Sequence, residues 1–409
     1  MKVENPMAFS DATASSDARH ASTSTGAERS ADRWDALFVL NSLAVGGSET
    51  KVIRLCNELH HRGTRIGVAY LNPPETLRSE LNAAIPLFHL NRKGKVSIGA
   101  LSALQELVRE HRPRTLIAVS LYPTLYVNAA ARLCAMRPRT AALINTSSFN
   151  PGQEWRRTLY TRLLHGLDWV VYGCEAQREL WQPAQNARTA RNSSVIYNGV
   201  DTRRFLIEAA RPCEVFRRRM ASADGAFVIG SVGRLAPEKH QAVLIDVLEA
   251  IRLVNPRAHL LLVGDGPMRA ELQARCDAKQ LRPYVTFAGH QAHVYPWLAL
   301  MDVFVLPSLY VETFSHAALE AMAMRRPVIL SNIAGAAEMI REGVDGFLVE
   351  PRELSRRLPP LVERLARDSV LRSSLGRNAR MRVELNFSFE RMVDHYGDLI
   401  ERLAVDERD

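Results

Sequence analysis

Two glutamates eight residues apart, Glu312 and Glu320, stand in the run VFVLPSLYVETFSHAALEAMAM over 303–324. An apolar stretch that reads as a buried strand precedes them, and an alanine-rich helical pattern carries the second. Phe314 and Ser315 are expected to open that helix directly after the strand. Backbone N–H groups and the helix dipole would there favour an anion such as a diphosphate. Glu320 lies among Ala317, Ala318, Ala321 and Ala323, small residues that permit close approach. A carboxylate there can accept two hydrogen bonds from a ribose diol. Taken alone, the pair is only a loop acid and a helix acid.

The upstream context adds weight. SVGRLAPEKH (231–240) follows another strand-like run and supplies Arg234 and Lys239. Two cations at a strand's carboxyl end can hold a diphosphate and neutralise the charge developing on it as it leaves. In isolation they read as a basic surface pair. NSLAVGGSETK (41–51) follows the first strand-like run, and Gly46-Gly47 is expected to turn tightly and let a ligand approach the next helix. This loop matches neither the Walker pattern nor the full dinucleotide fingerprint. VGDGPM (263–268) is also glycine-rich, but Pro267 at a helix start explains it structurally.

Positioning these residues requires strands whose carboxyl ends share one crevice. Apolar runs recur at 36–41, 67–71, 115–120, 140–145, 168–173 and 194–198, and again at 226–233, 259–264, 285–289, 303–307, 327–331 and 346–350. Helical patterns separate them; in 49–62, Val52, Ile53, Cys56 and Leu59 fall on one face. This alternation predicts an α/β fold of two doubly wound, Rossmann-like parallel-sheet domains facing a central cleft. The expected organisation is a disordered tail at 1–34, a first Rossmann-like domain at 35–200 and a second, ligand-binding one at 201–385. The linker falls near 198–215. A final amphipathic helix within 386–409 is expected to pack back on the first domain.

In order and spacing, the GR-x4-K loop, the VGDGP turn and the Glu-x7-Glu segment running into EAMA resemble the retaining glycosyltransferases of family 4, with the GT-B fold. SVIYNGVDTRRF (194–205), VTFAG (285–289) and VILSNIAGAAEMI…VDGFLVEP (328–351) extend the likeness across most of 36–351. The resemblance implies that Arg234 and Lys239 grip the donor diphosphate and that Glu320 binds the ribose. It gives Glu312, with the backbone of Thr313, Phe314 and Ser315, the donor sugar and phosphate. It makes Gly46 and Gly47 the loop that closes over the donor from the other domain. Arg234, Lys239 and Glu312 are then the catalytic candidates, with no metal and no cofactor. Thr313 and Arg326 depart from the glycines usual at those places; Arg326 is expected to lie outside the site. No first-domain histidine aligns with the one such enzymes often use, and NTSS (145–148) occupies the plausible loop.

Composition narrows the partners. Of the net +9, residues 35–200 hold the surplus, with 20 Lys and Arg against 11 Asp and Glu. That excess suits a lipid-linked or saccharide acceptor at an anionic membrane surface; nucleic acid is not expected. The five cysteines show no metal-ligand or disulfide spacing, and no run reads as a signal peptide or spanning helix, so a cytoplasmic protein, peripheral to the inner membrane face, is expected. The implied reaction is transfer of a sugar from a nucleotide-diphosphate donor to an acceptor hydroxyl with retention, in synthesis of cell-envelope polysaccharide, lipopolysaccharide or glycolipid. The competing readings are a nucleotide-sugar epimerase of the same fold and a non-catalytic protein that binds nucleotide or nucleic acid.

Overall fold

The computed structural model describes residues 33–94, 96–145, 154–181, 192–204, 225–310 and 312–405. Residues 1–32 of the expected tail, most of the linker, the Thr146–Ser148 part of NTSS and Cys213 lie outside them, whereas Trp34, expected in the tail, stacks on His111 at a centroid distance of 4.0 Å. Two all-parallel sheets organise the chain. The first has seven strands in the order β3-β2-β1-β4-β5-β6-β7, from β1 (Ala36–Leu40), β2 (Ile66–Tyr70), β3 (Leu87–His89), β4 (Thr115–Val119), β5 (Arg139–Ile144), β6 (Trp169–Tyr172) and β7 (Ser193–Val195). Helices α1 (Gly47–His61), α2 (Ile98–His111), α3 (Leu121–Leu133), α4 (Glu154–Leu164) and α5 (Glu175–Trp181) make its crossovers. Strand β3 was not expected from the sequence. It is three residues long at the sheet's edge, and none of the three is fully buried.

The second sheet has six strands in the order β10-β9-β8-β11-β12-β13: β8 (Phe227–Val232), β9 (Ala258–Val263), β10 (Val285–Gly289), β11 (Val303–Leu306), β12 (Val328–Ser331) and β13 (Gly346–Val349). Its helices are α6 (Ala242–Val254), α7 (Arg269–Ala278), α8 (Tyr295–Leu298), α9 (His316–Ala323), α10 (Ala336–Met339), α11 (Leu354–Arg367) and α12 (Ser369–Asn386). Strands β1, β4, β8 and β11 are almost wholly buried, so they read as continuous apolar runs rather than alternating ones. The strand order reverses between β1 and β4 and between β8 and β11. Those reversals open a crevice at the carboxyl ends of the flanking strands.

The last helix, α13 (Phe389–Val405), belongs to the first sheet's core. Met392, Val393, Tyr396, Leu399, Ile400 and Leu403 pack into one cluster with Phe38, Val68 and Ile117. Arg62 of the turn after α1 bonds Asp394 at 2.6 Å. No helix among the described residues is long and apolar enough to cross a membrane. The four described cysteines are free.

Candidate donor site

The β8 and β11 loops face each other across the second sheet's reversal. The Leu309 amide N–H donates to the Glu238 carbonyl at 2.8 Å, tying the two loops together. Lys239, in a short 3₁₀ turn at Pro237–Lys239, ion-pairs with Glu312, and both side chains are mostly buried. Ser308 donates a further hydrogen bond to the same carboxylate oxygen of Glu312 at 3.1 Å. Arg234 is exposed on the β8 loop. The VGDGP turn buttresses that loop from behind, with the Leu235 N–H on the Asp265 carbonyl at 3.0 Å. A Cβ on Gly264 would lie 2.0 Å from the Gly233 carbonyl oxygen, and one on Gly266 2.3 Å from that of Leu235. Pro267 does not start the next helix as expected, since α7 begins at Arg269 with Met268 as its N-cap; the two glycines instead admit the backbone that carries Arg234.

Helix α9 begins at His316 and not at Phe314, and the loop 307–315 separates it from β11. The expectation of a helix opening at Phe314 and Ser315 directly after the strand is thus corrected. Ser315 is the N-cap, accepting from the Ala318 N–H at 3.3 Å, because a serine hydroxyl satisfies an amide that the first turn leaves open. Phe314 turns away from the cleft into a buried aromatic group with Tyr197 and Phe387, at centroid distances of 4.9 and 5.0 Å. Only its backbone can serve a ligand. Thr313 faces the first half: its carbonyl accepts from the Gly335 N–H at 3.0 Å, and a Cβ on Gly173 would lie 3.2 Å from its methyl group.

Glu320 sits one turn into α9. Burial lifts its carboxyl to about 7, and Arg54 and Arg204 pull it back down only in part. His316, at the helix start, is held neutral by burial with Lys51 and Arg54 beside it, its pKa lowered to about 3. The Gly46–Gly47 loop reaches this helix from the first half: a Cβ on Gly47 would come within 3.7 Å of the His316 ring. The tight turn expected of Gly46 is absent, since its backbone is extended at φ −160°. What Gly46 provides is room, because a Cβ there would meet the Glu49 carboxylate at 2.6 Å.

Three further residues join the halves and were not singled out from the sequence. Lys51 donates to Asn198 Oδ1 at 3.1 Å, and Asn198 Nδ2 donates to the Phe314 carbonyl at 2.6 Å. Glu338, from α10, accepts the Glu175 and Ala176 N–H groups at 2.8 and 2.9 Å and the Tyr197 hydroxyl at 2.9 Å. A carboxylate at the first turn of α5 meets the helix's unsatisfied amides and its positive end. Asn198 and Glu338 lie inside the NGVD and AGAAEMI motifs, the only signal the sequence offered for them. Arg326 donates to the Met301 and Met324 carbonyls at 2.7 and 3.0 Å, at the amino ends of β11 and β12 and away from the cleft.

Comparison with known proteins gives this geometry a context. Residues 45–204 match the family described as Glycosyltransferase Family 4, and residues 226–368 match that described as Glycosyl transferases group 1. The chain is 26% identical over 362 residues to the lipopolysaccharide core biosynthesis glycosyltransferase LpsD of Rhizobium meliloti (strain 1021), covering 87% of this chain and 95% of LpsD. It is 30% identical over 217 residues to the UDP-Gal:alpha-D-GlcNAc-diphosphoundecaprenol alpha-1,3-galactosyltransferase of Escherichia coli, covering 52% of this chain and 55% of that one. The structure of HepE of Anabaena in complex with UDP superposes with a TM-score of 0.77 at 21% identity, over 90% of this chain and 99% of HepE.

Proposed function

Given that this chain belongs to the family 4 glycosyltransferases and has their two-domain GT-B architecture, we propose that it transfers a sugar with retention from a nucleoside diphosphate held by its second half. The acceptor is a hydroxyl of a saccharide or lipid-linked saccharide held by the first half. The observation that carries this reading is the meeting of the β8 and β11 loops, which puts Arg234, Lys239 and Glu312 at one strand reversal with Glu320 on the next helix.

Arg234 and Lys239 take up the charge that develops on the leaving diphosphate, and the backbone N–H groups at the start of α9 add to it. The Glu320 carboxylate accepts from the two ribose hydroxyls. Glu312 accepts from a hydroxyl of the donor sugar and is not a covalent nucleophile. The acceptor hydroxyl attacks the anomeric carbon from the face the diphosphate leaves, and its proton passes to a diphosphate oxygen. With two cations performing the neutralisation, turnover should be insensitive to EDTA. The test is turnover of UDP-, GDP- and ADP-sugars against a cell-envelope lipid extract, with the product's anomeric configuration read by NMR. Failure of all three nucleoside diphosphates to bind by calorimetry would remove the donor-site assignment. Conversion of the donor with no acceptor present would make the chain an epimerase instead.

The membrane surface as partner rests on α4. Trp155 and Leu159 are 63% and 43% exposed, one turn apart, with Arg156 and Arg162 exposed beside them. Tyr122 lies under Arg92 at 4.6 Å, and Ile98 is 84% exposed at the start of α2. Aromatic and aliphatic side chains among arginines suit the interface of an anionic bilayer. Flotation with phosphatidylglycerol vesicles should recover the protein, and Trp155→Ala with Leu159→Ala should reduce recovery several-fold. Equal recovery on phosphatidylcholine vesicles would remove the electrostatic part of the proposal.

A further inference from the structure

We propose that Lys51 and Asn198 are positioning residues that set the donor loop Glu312–Ser315 from the first half of the molecule. The inference rests on the transfer reading above and adds to it the origin of that loop's geometry. Lys51 is 8% exposed and Asn198 9%. They stand 147 residues apart, one in the first turns of α1 behind Gly46-Gly47, the other just after β7. The ammonium fixes the orientation of the Asn198 amide: with Oδ1 taken by Lys51 at 3.1 Å, Nδ2 is the end that remains to meet the Phe314 carbonyl at 2.6 Å. Phe314 sits between the sugar-facing Glu312 and the cap residue Ser315. Holding its carbonyl fixes both the loop and the first amides of α9.

Burying an ammonium is costly, and burial lowers the Lys51 pKa to about 8 even with Glu49 opposing it. An apolar residue of similar length would fill the site at no such cost. What the lysine supplies that an apolar residue could not is its bond to Asn198, whose own amide reaches the donor loop. Lys51 lies one turn after Gly47 in α1, so the relay starts from the helix that the glycine loop opens.

The experiment compares Lys51→Met, Asn198→Asp and the double variant in steady-state transfer on the full-length chain, with thermal midpoints measured alongside. Asn198→Asp keeps the lysine's partner but turns an oxygen toward the Phe314 carbonyl, so it isolates the second bond. The expected result is a drop of tenfold or more in kcat/KM for the donor in each single variant. Acceptor KM should stay within twofold, and the double variant should be no worse than the poorer single one, because both changes break one relay. A smaller drop, or losses that multiply in the double variant, overturns the proposal. If Lys51→Met lowers the thermal midpoint by several degrees, Asn198→Asp decides by itself. Absence of transfer by the unaltered chain would count against the function, whereas normal transfer by the variants would count against the relay alone.

Discussion

The Lys239 ammonium is ion-paired with the Glu312 carboxylate, a cation from the β8 loop meeting an acid from the β11 loop. Each therefore neutralises the other before any donor arrives, and a bound diphosphate competes with Glu312 for the lysine. The variants should separate accordingly. Glu312→Gln is expected to bind plain nucleoside diphosphate as well as the unaltered chain or a few-fold better, while sugar transfer falls by about 10²-fold or more. Lys239→Met should weaken binding by roughly tenfold and transfer by more. Calorimetry beside initial rates reads both; a Glu312→Gln chain that loses nucleotide affinity would contradict the competition.

Glu320 carries a pH dependence of definite sign. Its carboxyl holds a proton up to about 7 in the folded chain against an ordinary value of 4.5. A group whose folded pKa is raised contributes stability that is full below the unfolded value and lost as pH rises through the folded one. Its part of the folding free energy thus declines between pH 4.5 and about 7. Binding runs the other way, since the ionised form is the one that accepts from both ribose hydroxyls. Nucleotide affinity should rise between pH 6 and 8, and Glu320→Gln should flatten that rise in a calorimetric series.

Glu338 is expected to matter for stability across the two halves. Glu338→Ala strands the Glu175 and Ala176 amides and the Tyr197 hydroxyl. Bonds to a charged acceptor of this kind are worth about 1.5–3 kcal/mol. A loss of that order should appear in chemical denaturation, whereas a change under about 0.5 kcal/mol would show that water replaces the carboxylate.

Tyr396 tests the return of α13 to the first sheet. It is 1% exposed within the cluster of Phe38 and Ile117. Tyr396→Ala should cost about 3–5 kcal/mol, the range for emptying a buried aromatic site. Deleting the chain from Phe389 should leave the protein insoluble on expression.

Much of the architecture could be read from residue pattern because it is written in local runs. The strands at 36–40, 115–119, 227–232 and 303–306 are apolar on both faces and punctuated by helical patterns, so little else could be made of them. Strand β3 escaped because three half-exposed residues at an edge carry no such run. The opening of α9 was misplaced by two residues, since Ser315 has the character of a cap and Phe314 that of a core residue. Of the candidate site, Arg234, Lys239, Glu312 and Glu320 could be singled out only through the order of the motifs that resemble family 4, since alone they read as ordinary surface charges. Lys51, Asn198 and Glu338 could not: their partners lie 116 to 163 residues away, and only the folded chain brings them together.

The chain crosses between its halves twice, and the crossings lie against each other. The Val200 N–H bonds the Phe387 carbonyl at 3.0 Å, and the Phe389 N–H bonds the Val200 carbonyl at 3.1 Å. There is no room to spare, for a Cβ on Gly199 would sit 2.4 Å from the Ser388 carbonyl oxygen. Two covalent connections between the halves are thus fastened side by side as one short parallel bridge. A methyl group at position 199 would have to push the Ser388 and Phe389 backbone away, and with it the start of the helix that returns to the first sheet.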